Sequence, residues 1–219
     1  MTDLTIQIHN KETLTLLPER AVYWPRTQTL FIADTHFGKS ATFRASAIPV
    51  PGGDTDADLR RLSTALDRTG AKKLIVLGDL LHAKEGRKPD VVEAVRLWRE
   101  AYAELDVMLV RGNHDQGAGD PPEEWRITCV DGPTPGPYFV LMHKPHTPEA
   151  GYGLAGHLHP AARLHGKGRQ TMKLPCFWFR ERVGVLPAFG SFTDGGIIRP
   201  GAGDAVYVAT EQRVLTVQP

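Results

Sequence analysis

The 219-residue chain is 41% hydrophobic and 23% charged, with a formal net charge of +1. That balance excludes wholesale disorder, and no apolar run approaches the roughly 20 residues that a membrane span requires. The length suits one domain with a sizeable core, so a single domain over residues 1–219 is expected.

The start, Met1-Thr2-Asp3-Leu4, lacks the basic residues and long apolar stretch of a secretory signal. Cys129 and Cys176 are expected to be reduced thiols, and the chain reads as cytoplasmic. Leu4, Ile6 and Ile8 alternate with polar residues, the period of a half-buried strand. Residues 29–33 form a short apolar run, a buried strand ending at Asp34. Beyond the Pro- and Gly-rich residues 49–53, Asp54 or Asp56 is placed to cap a helix. Its stripe is Leu59, Leu62 and Leu66, and Gly70 ends it. Residues 74–77 are the next buried strand, running into Gly78-Asp79. Pro89 suits the first turn of a second helix presenting Val91, Val95, Trp98 and Tyr102. Residues 107–110, 139–142 and 151–155 are further strands that lead into polar segments. From Thr171 onward the chain is strand-like at 183–186, 205–208 and 214–217, and a second sheet packed on the first is expected. Strands alternating with helices imply an α/β core with ligands at the strand ends.

Those polar segments are the most specific feature of the chain. Asp34-Thr35-His36, Gly78-Asp79-Leu80-Leu81-His82, Gly112-Asn113-His114-Asp115, His143 and Gly156-His157-Leu158-His159 hold six of the nine histidines. Asp34 and His36, two apart, can face one cation. Asp79 offers a carboxylate able to bridge two cations, Asn113 an amide oxygen, and His143, His157 and His159 imidazole nitrogens. This mixed set suits Mn, Fe, Zn or Co better than calcium, and two divalent ions, manganese first, are expected. Two such ions about 3.5–4 Å apart clamp a phosphoryl group, lower the pKa of water and neutralise developing charge. The glycines before Asp79, Asn113 and His157 permit a tight backbone at the strand exits. Each segment alone is weak, since a lone histidine is more often a core or surface residue. Five in order, each after an apolar run, have no packing rationale.

The ordered set resembles the calcineurin-like metallophosphoesterase superfamily over residues 30–160. The resemblance implies an α/β fold, a four-layer αββα sandwich of two mixed sheets flanked by helices. It implies that Asp34, His36, Asp79 and His159 bind one metal, and Asp79, Asn113, His143 and His157 the other. It further implies that His114 protonates the leaving oxygen or stabilises the transition state, with Asp115 orienting it. His82 is placed like the histidine in the Gly-Asp-x-x-His motif of Mre11-type nucleases and would steer the scissile phosphate. Residues 33–39, Thr42-Phe43-Arg44, residues 156–160, Leu174-Pro175-Cys176-Phe177 and residues 186–190 are similar to the bacterial PdeM family of ligase-associated DNA-damage-response endonucleases. That similarity implies a phosphodiesterase acting on DNA in repair, with a ligase or helicase partner suggested by the family alone.

Lys39 and Arg44 are candidate contacts to substrate phosphate, Arg44 being equally suited to a structural salt bridge. Between Phe139 and Arg182 the only acids are Glu149 and Glu181, against Lys144, Arg163, Lys167, Arg169, Lys173, Arg180 and Arg182. Such a stretch suits a phosphate-bearing polymer or is a solvated face. Cys176 reads as a buried thiol rather than a nucleophile, and Phe177 and Trp178 as core rather than a base-stacking platform. Two rival readings stand beside the phosphodiesterase. One is a small-molecule phosphomonoesterase or nucleotide hydrolase, suited to the compact chain and modest charge. The other is a weakly active metal-site scaffold, which the complete ligand set disfavours.

Overall fold

The computed structural model describes residues 1–166 and 170–217, so Lys167 and Arg169 of the basic stretch lie outside the described residues. The first sheet holds seven strands in sequential order: β1 (Leu4–Ile8), β2 (Glu12–Leu17), β3 (Ala21–Trp24), β4 (Thr29–Ile32), β5 (Lys73–Leu77), β6 (Asp106–Val110) and β7 (Thr128–Val130). The first four pair antiparallel, and β4 to β7 pair parallel. Parallel neighbours need long crossovers. Helices α1 (Lys39–Ala45), α2 (Asp54–Thr69), α3 (Pro89–Ala101) and α4 (Asn113–Ala118) lie in these crossovers.

Helix α2 buries Leu59, Leu62 and Leu66 against the sheet, and Gly70 closes it in the left-handed region, donating its N–H to the Leu66 carbonyl. Its start differs from the expected acidic cap. Gly53 takes the capping position at φ 87°, and Asp54 is the first helical residue. The Asp54 carboxylate instead accepts from the Ser40 amide and hydroxyl, which ties α2 to α1. Helix α3 begins with Pro89 and buries Val91 and Val95, with Trp98 and Tyr102 packed alongside.

The second sheet runs β14-β11-β12-β13-β10-β9-β8, and β15 and β16 extend from β12. Its strands are β8 (Thr134–Pro135), β9 (Phe139–Leu141), β10 (Tyr152–Ala155), β11 (Pro160–His165), β12 (Thr171–Phe179), β13 (Val183–Val185), β14 (Gly196–Ile197), β15 (Ala205–Ala209) and β16 (Val214–Val217). Strands β9, β10 and β13 are mutually parallel, so this sheet is also mixed. The sheets pack face to face through Leu14, Leu16, Phe31 and Ile75 on one side and Phe139, Leu154, Phe177 and Phe179 on the other. Two mixed sheets packed face to face, with helices in the crossovers of the first, make the α/β sandwich that the resemblance implies, and among the described residues no helix follows β7.

The period of two along β12 separates its faces. Phe177 and Phe179 enter the core between the sheets, while Cys176 and Trp178 join Val206 and Val208 on the opposite face. Neither cysteine is in a disulfide. Burial pushes the Cys176 thiol up to about 12, far from a nucleophile at neutral pH. Among the described residues no helix is long and apolar enough to cross a membrane.

Candidate metal centre

Every ligand-bearing segment leaves the C-terminal end of a parallel strand. Asp34 to His36 follow β4, Asp79 to His82 follow β5, Asn113 to Asp115 follow β6, His143 follows β9, and His157 and His159 follow β10. The two sheets thus deliver their loops to one edge. Backbone bonds between loops hold them there: Asp34 N–H to the Gly78 carbonyl, His36 N–H to that of Asp79, and Gly156 N–H to that of His143. Among the described residues, ten non-glycine residues have positive φ, and five of them are Asp34, His36, Asp79, His157 and His159, at 45–70°. Such backbone costs on the order of 1 kcal/mol or more per residue and persists only where its surroundings impose it.

The side chains converge in two groups. His36 Nε2 lies 3.4 Å from His159 Nε2, which is 3.5 Å from Asp34 Oδ1. His143 Nε2 lies 3.0 Å from His157 Nδ1, 3.0 Å from Asn113 Oδ1 and 3.4 Å from Asp79 Oδ2. The same Asp79 oxygen is 3.7 Å from His36 Nε2, so it faces both groups. Asp34, His36 and His159, and separately Asp79, His143 and His157, bring their ligand atoms within 4.8 Å of one another.

Two observations test whether a cation fits. The Asp34 Oδ1 atom is buried without a hydrogen-bond partner, a costly state for a carboxylate oxygen. The Nδ1–H of His143 donates to the Leu77 carbonyl at 3.1 Å, which fixes Nε2 of the neutral ring as an acceptor. That nitrogen then faces another acceptor, Asn113 Oδ1, with no proton between them. A divalent cation satisfies both, and the mixed nitrogen and oxygen donors match a first-row ion.

The electrostatics agree. Burial, aided by His159, Lys39, His114 and His82, holds His36 at about 2, and burial with His114 and Lys39 holds His82 at about 4. Both are therefore neutral lone-pair donors at pH 7. Burial and His143 lower His157, and burial pushes the Asp79 carboxyl up. Burial opposes charge on His159 too, but its contact with the Asp34 carboxylate outweighs this and raises it. Apart from His159, burial in the pocket disfavours the charged forms of these groups, and their converging lone pairs could hold a cation.

The remaining candidates fall differently. His114 stacks on His82 at 4.7 Å, and its Nδ1–H donates to the His82 carbonyl at 2.8 Å. The Asp115 carboxylate accepts from Gly112 N–H at 2.9 Å and Leu81 N–H at 3.1 Å. It clamps two loops, and the His82 carbonyl takes the orienting contact expected of Asp115. The cause is local: α4 starts at Asn113, which turns the third helical side chain back onto its own N-terminus. His82 Nδ1 is 3.2 Å from His36 Nδ1, and His36, His82 and His114 form a third convergent group. Sequence spacing gives no sign of it, because its members arrive on three loops. Lys39 opens α1 near enough to His36 and His82 to disfavour their charged forms. Arg44 donates to the Pro51 carbonyl at 3.1 Å, and among the described residues it forms no salt bridge. Phe43 lies 6.2 Å from His82 and 5.7 Å from Phe192, an aromatic wall beside the centre. Phe43 lies within a motif noted above, but nothing in the sequence links it to Phe192.

The glycine before Asn113 is required for space rather than for its backbone angle. A Cβ on Gly112 would sit 2.1 Å from Asp79 Oδ1 and 2.5 Å from Asp79 N. Gly112→Ala is expected to lower stability by about 1–3 kcal/mol and to cut metal uptake by displacing Asp79. Thermal melts and elemental analysis of the loaded protein check this, and wild-type metal content in the variant would show that the loop yields freely.

A two-sheet sandwich whose parallel strand ends converge on such a cluster defines a metallophosphoesterase. The family model for calcineurin-like phosphoesterases matches residues 27–169, more than half of the chain, and the chain belongs to that family. It is a metal-dependent hydrolase. Among solved structures, the nuclease MPE of Pseudomonas putida is similar at 38% identity with a TM-score of 0.86, covering 99% of this chain and 100% of that one. Yfce, a phosphoesterase from E. coli, matches at 17% identity with a TM-score of 0.42, covering 86% of this chain and 97% of that one. No curated protein matches the chain.

Proposed function

We propose that the chain is a dinuclear, manganese-dependent phosphodiesterase that cleaves DNA. The observation that carries this reading is the pair of donor groups sharing Asp79. In it, Asp34, His36, Asp79 and His159 would hold one ion, and Asp79, Asn113, His143 and His157 would hold the other. When bound, the two ions supply water activation and charge neutralisation for phosphoryl transfer. His114, its Nδ1–H held by the His82 carbonyl, would present Nε2 to the leaving oxygen and act as a proton donor there in its imidazolium form. The His82 ring and Lys39 orient the scissile phosphate. Asp115 and Arg44 keep loops in place. Support for a nucleic-acid substrate is the likeness to a nuclease over nearly the whole of both chains. A repair role in the cytoplasm, as one domain over residues 1–219 beside a ligase or helicase, follows from the motif resemblance.

Turnover of bis-p-nitrophenyl phosphate and p-nitrophenyl phosphate with Mn(II), before and after chelation, tests the reading. A diester preference lost on chelation is expected. A monoester preference would instead indicate a small-molecule phosphatase. No turnover of either by protein holding two metals would favour the scaffold.

A further inference from the structure

The basic stretch divides in three dimensions. Lys144 stays near His157 at the metal edge, and Lys173 is paired with Asp194. Arg180 and Arg182 lie at the other end of the parallel strands. There they meet Arg199 around a cleft of about 700 Å³, which Thr147, Trp178 and Asp204 also line. Trp178 places the cleft on the face of β12 turned away from the core between the sheets.

The cleft is organised for an anion. Among the described residues, Arg180, Arg182 and Arg199 have no carboxylate within ion-pair distance. The nearby acid is already engaged: one oxygen of Asp204 accepts both the Trp178 indole N–H and the Gly201 N–H, each at 2.8 Å. Arg180 lies over the indole at 5.2 Å, which orients its guanidinium. Arg182 is held by the Glu149 carbonyl at 3.2 Å. Glu181 is the other acid at the rim, and it pairs with none of the three arginines. Guanidiniums without a carboxylate partner, two of them held by neighbours and Arg199 exposed beside them, are geometric partners for phosphate oxygens.

The position relates the cleft to the metal centre. Gly153 N–H, in β10, bonds the Arg182 carbonyl at 2.9 Å, and His157 follows four residues later. At about 3.3 Å per residue in the strand, and less in the turn at Gly156 and His157, the two ends of this segment stand no more than roughly 13 Å apart. That is about four steps of duplex DNA at 3.4 Å each, a span that a polymer bridges and a small ester does not.

We infer that the Arg180–Arg182–Arg199 cleft is an exosite for the phosphate backbone of an extended nucleic acid whose scissile bond lies at the metal centre. The inference rests on the phosphodiesterase reading above. Each arginine neutralises a phosphate of the flanking strand, and the Trp178–Arg180 stack gives that strand a flat platform.

Fluorescence anisotropy of manganese-loaded protein with a fluorescein-labelled 20-nucleotide phosphorothioate strand, which resists cleavage, tests it. Arg180 and Arg199 are exposed, so truncating both leaves the core intact. Arg180→Ala with Arg199→Ala is expected to weaken binding about 10-fold and to reduce the slope of log K against log salt by about 1.4. Arg60→Ala with Lys72→Ala, which removes the same charge elsewhere on the surface, is expected to leave both unchanged. Unaltered affinity and slope in the cleft variant, an equal loss in the surface variant, or no binding by the wild type would overturn the exosite. Inactivity of the wild type on bis-p-nitrophenyl phosphate would instead sink the phosphodiesterase reading, and the binding comparison would still decide the cleft.

Discussion

Asp79→Asn is expected to lower metal-dependent diester turnover by about 10³-fold or more, equivalent to roughly 4 kcal/mol of transition-state stabilisation. Its Oδ2 stands between the two donor groups, 3.4 Å from His143 Nε2 and 3.7 Å from His36 Nε2. Its Oδ1 accepts the His114 amide at 2.9 Å. An amide in this place keeps the shape but loses the charge. If it presents its NH₂ toward the imidazoles, it sets a donor where two cations are expected. The loss should therefore appear in metal content as well as rate, with at least one ion missing from the variant. Elemental analysis beside kcat separates the outcomes. Full metal content with wild-type turnover would remove Asp79 from the centre.

His114→Ala is expected to reduce kcat by about 10²–10⁴-fold on substrates with an alkoxide leaving group, while both metals stay bound. The Nδ1–H is held by a backbone carbonyl, so Nε2 is the nitrogen left for the leaving oxygen, and it gives a proton only from the imidazolium form of the ring. Leaving-group chemistry makes the role measurable. The p-nitrophenolate group departs with little need of a proton, so bis-p-nitrophenyl phosphate should suffer far less than a dinucleotide. A uniform loss on both would indicate that His114 positions the phosphate rather than protonating its leaving oxygen. Both measurements need metal content in hand, because the His114 amide bonds Asp79.

The ligand segments are legible in the sequence because each is local: an apolar run, a turn and a cluster of hard donors. Asp34, Asp79, Asn113 and His157 each announce themselves within a few residues. Their assembly is not local. Asp34 meets His159 and Asn113 meets His143 across two sheets, and no spacing rule carries that pairing. The place of Asp115 is equally non-local: the resemblance implies that it orients His114, and the first turn of α4 points its carboxylate at Gly112 and Leu81. The capping of α2 by Gly53 is not legible in the sequence because acidic residues are common caps, while a glycine at φ 87° signals only through its backbone. Residues 139–142 and 151–155 read as strands and are β9 and β10, but both belong to the second sheet, which begins at the two-residue β8 and so earlier than the residues after Thr171 suggest. The arginine cleft draws on residues 180–182 and 199, and only folding shows that they share a wall.

Asp34 and Asp79 belong to loops of the first sheet, and His143, His157 and His159 to loops of the second. Each of the two donor groups mixes residues from both. An ion satisfying either group therefore acts as a rivet through the sandwich, joining halves that otherwise meet mainly through apolar side chains. Because a ligand that binds only the folded chain adds its binding free energy to folding, emptying the centre loosens the seam between the sheets as well as ending the chemistry.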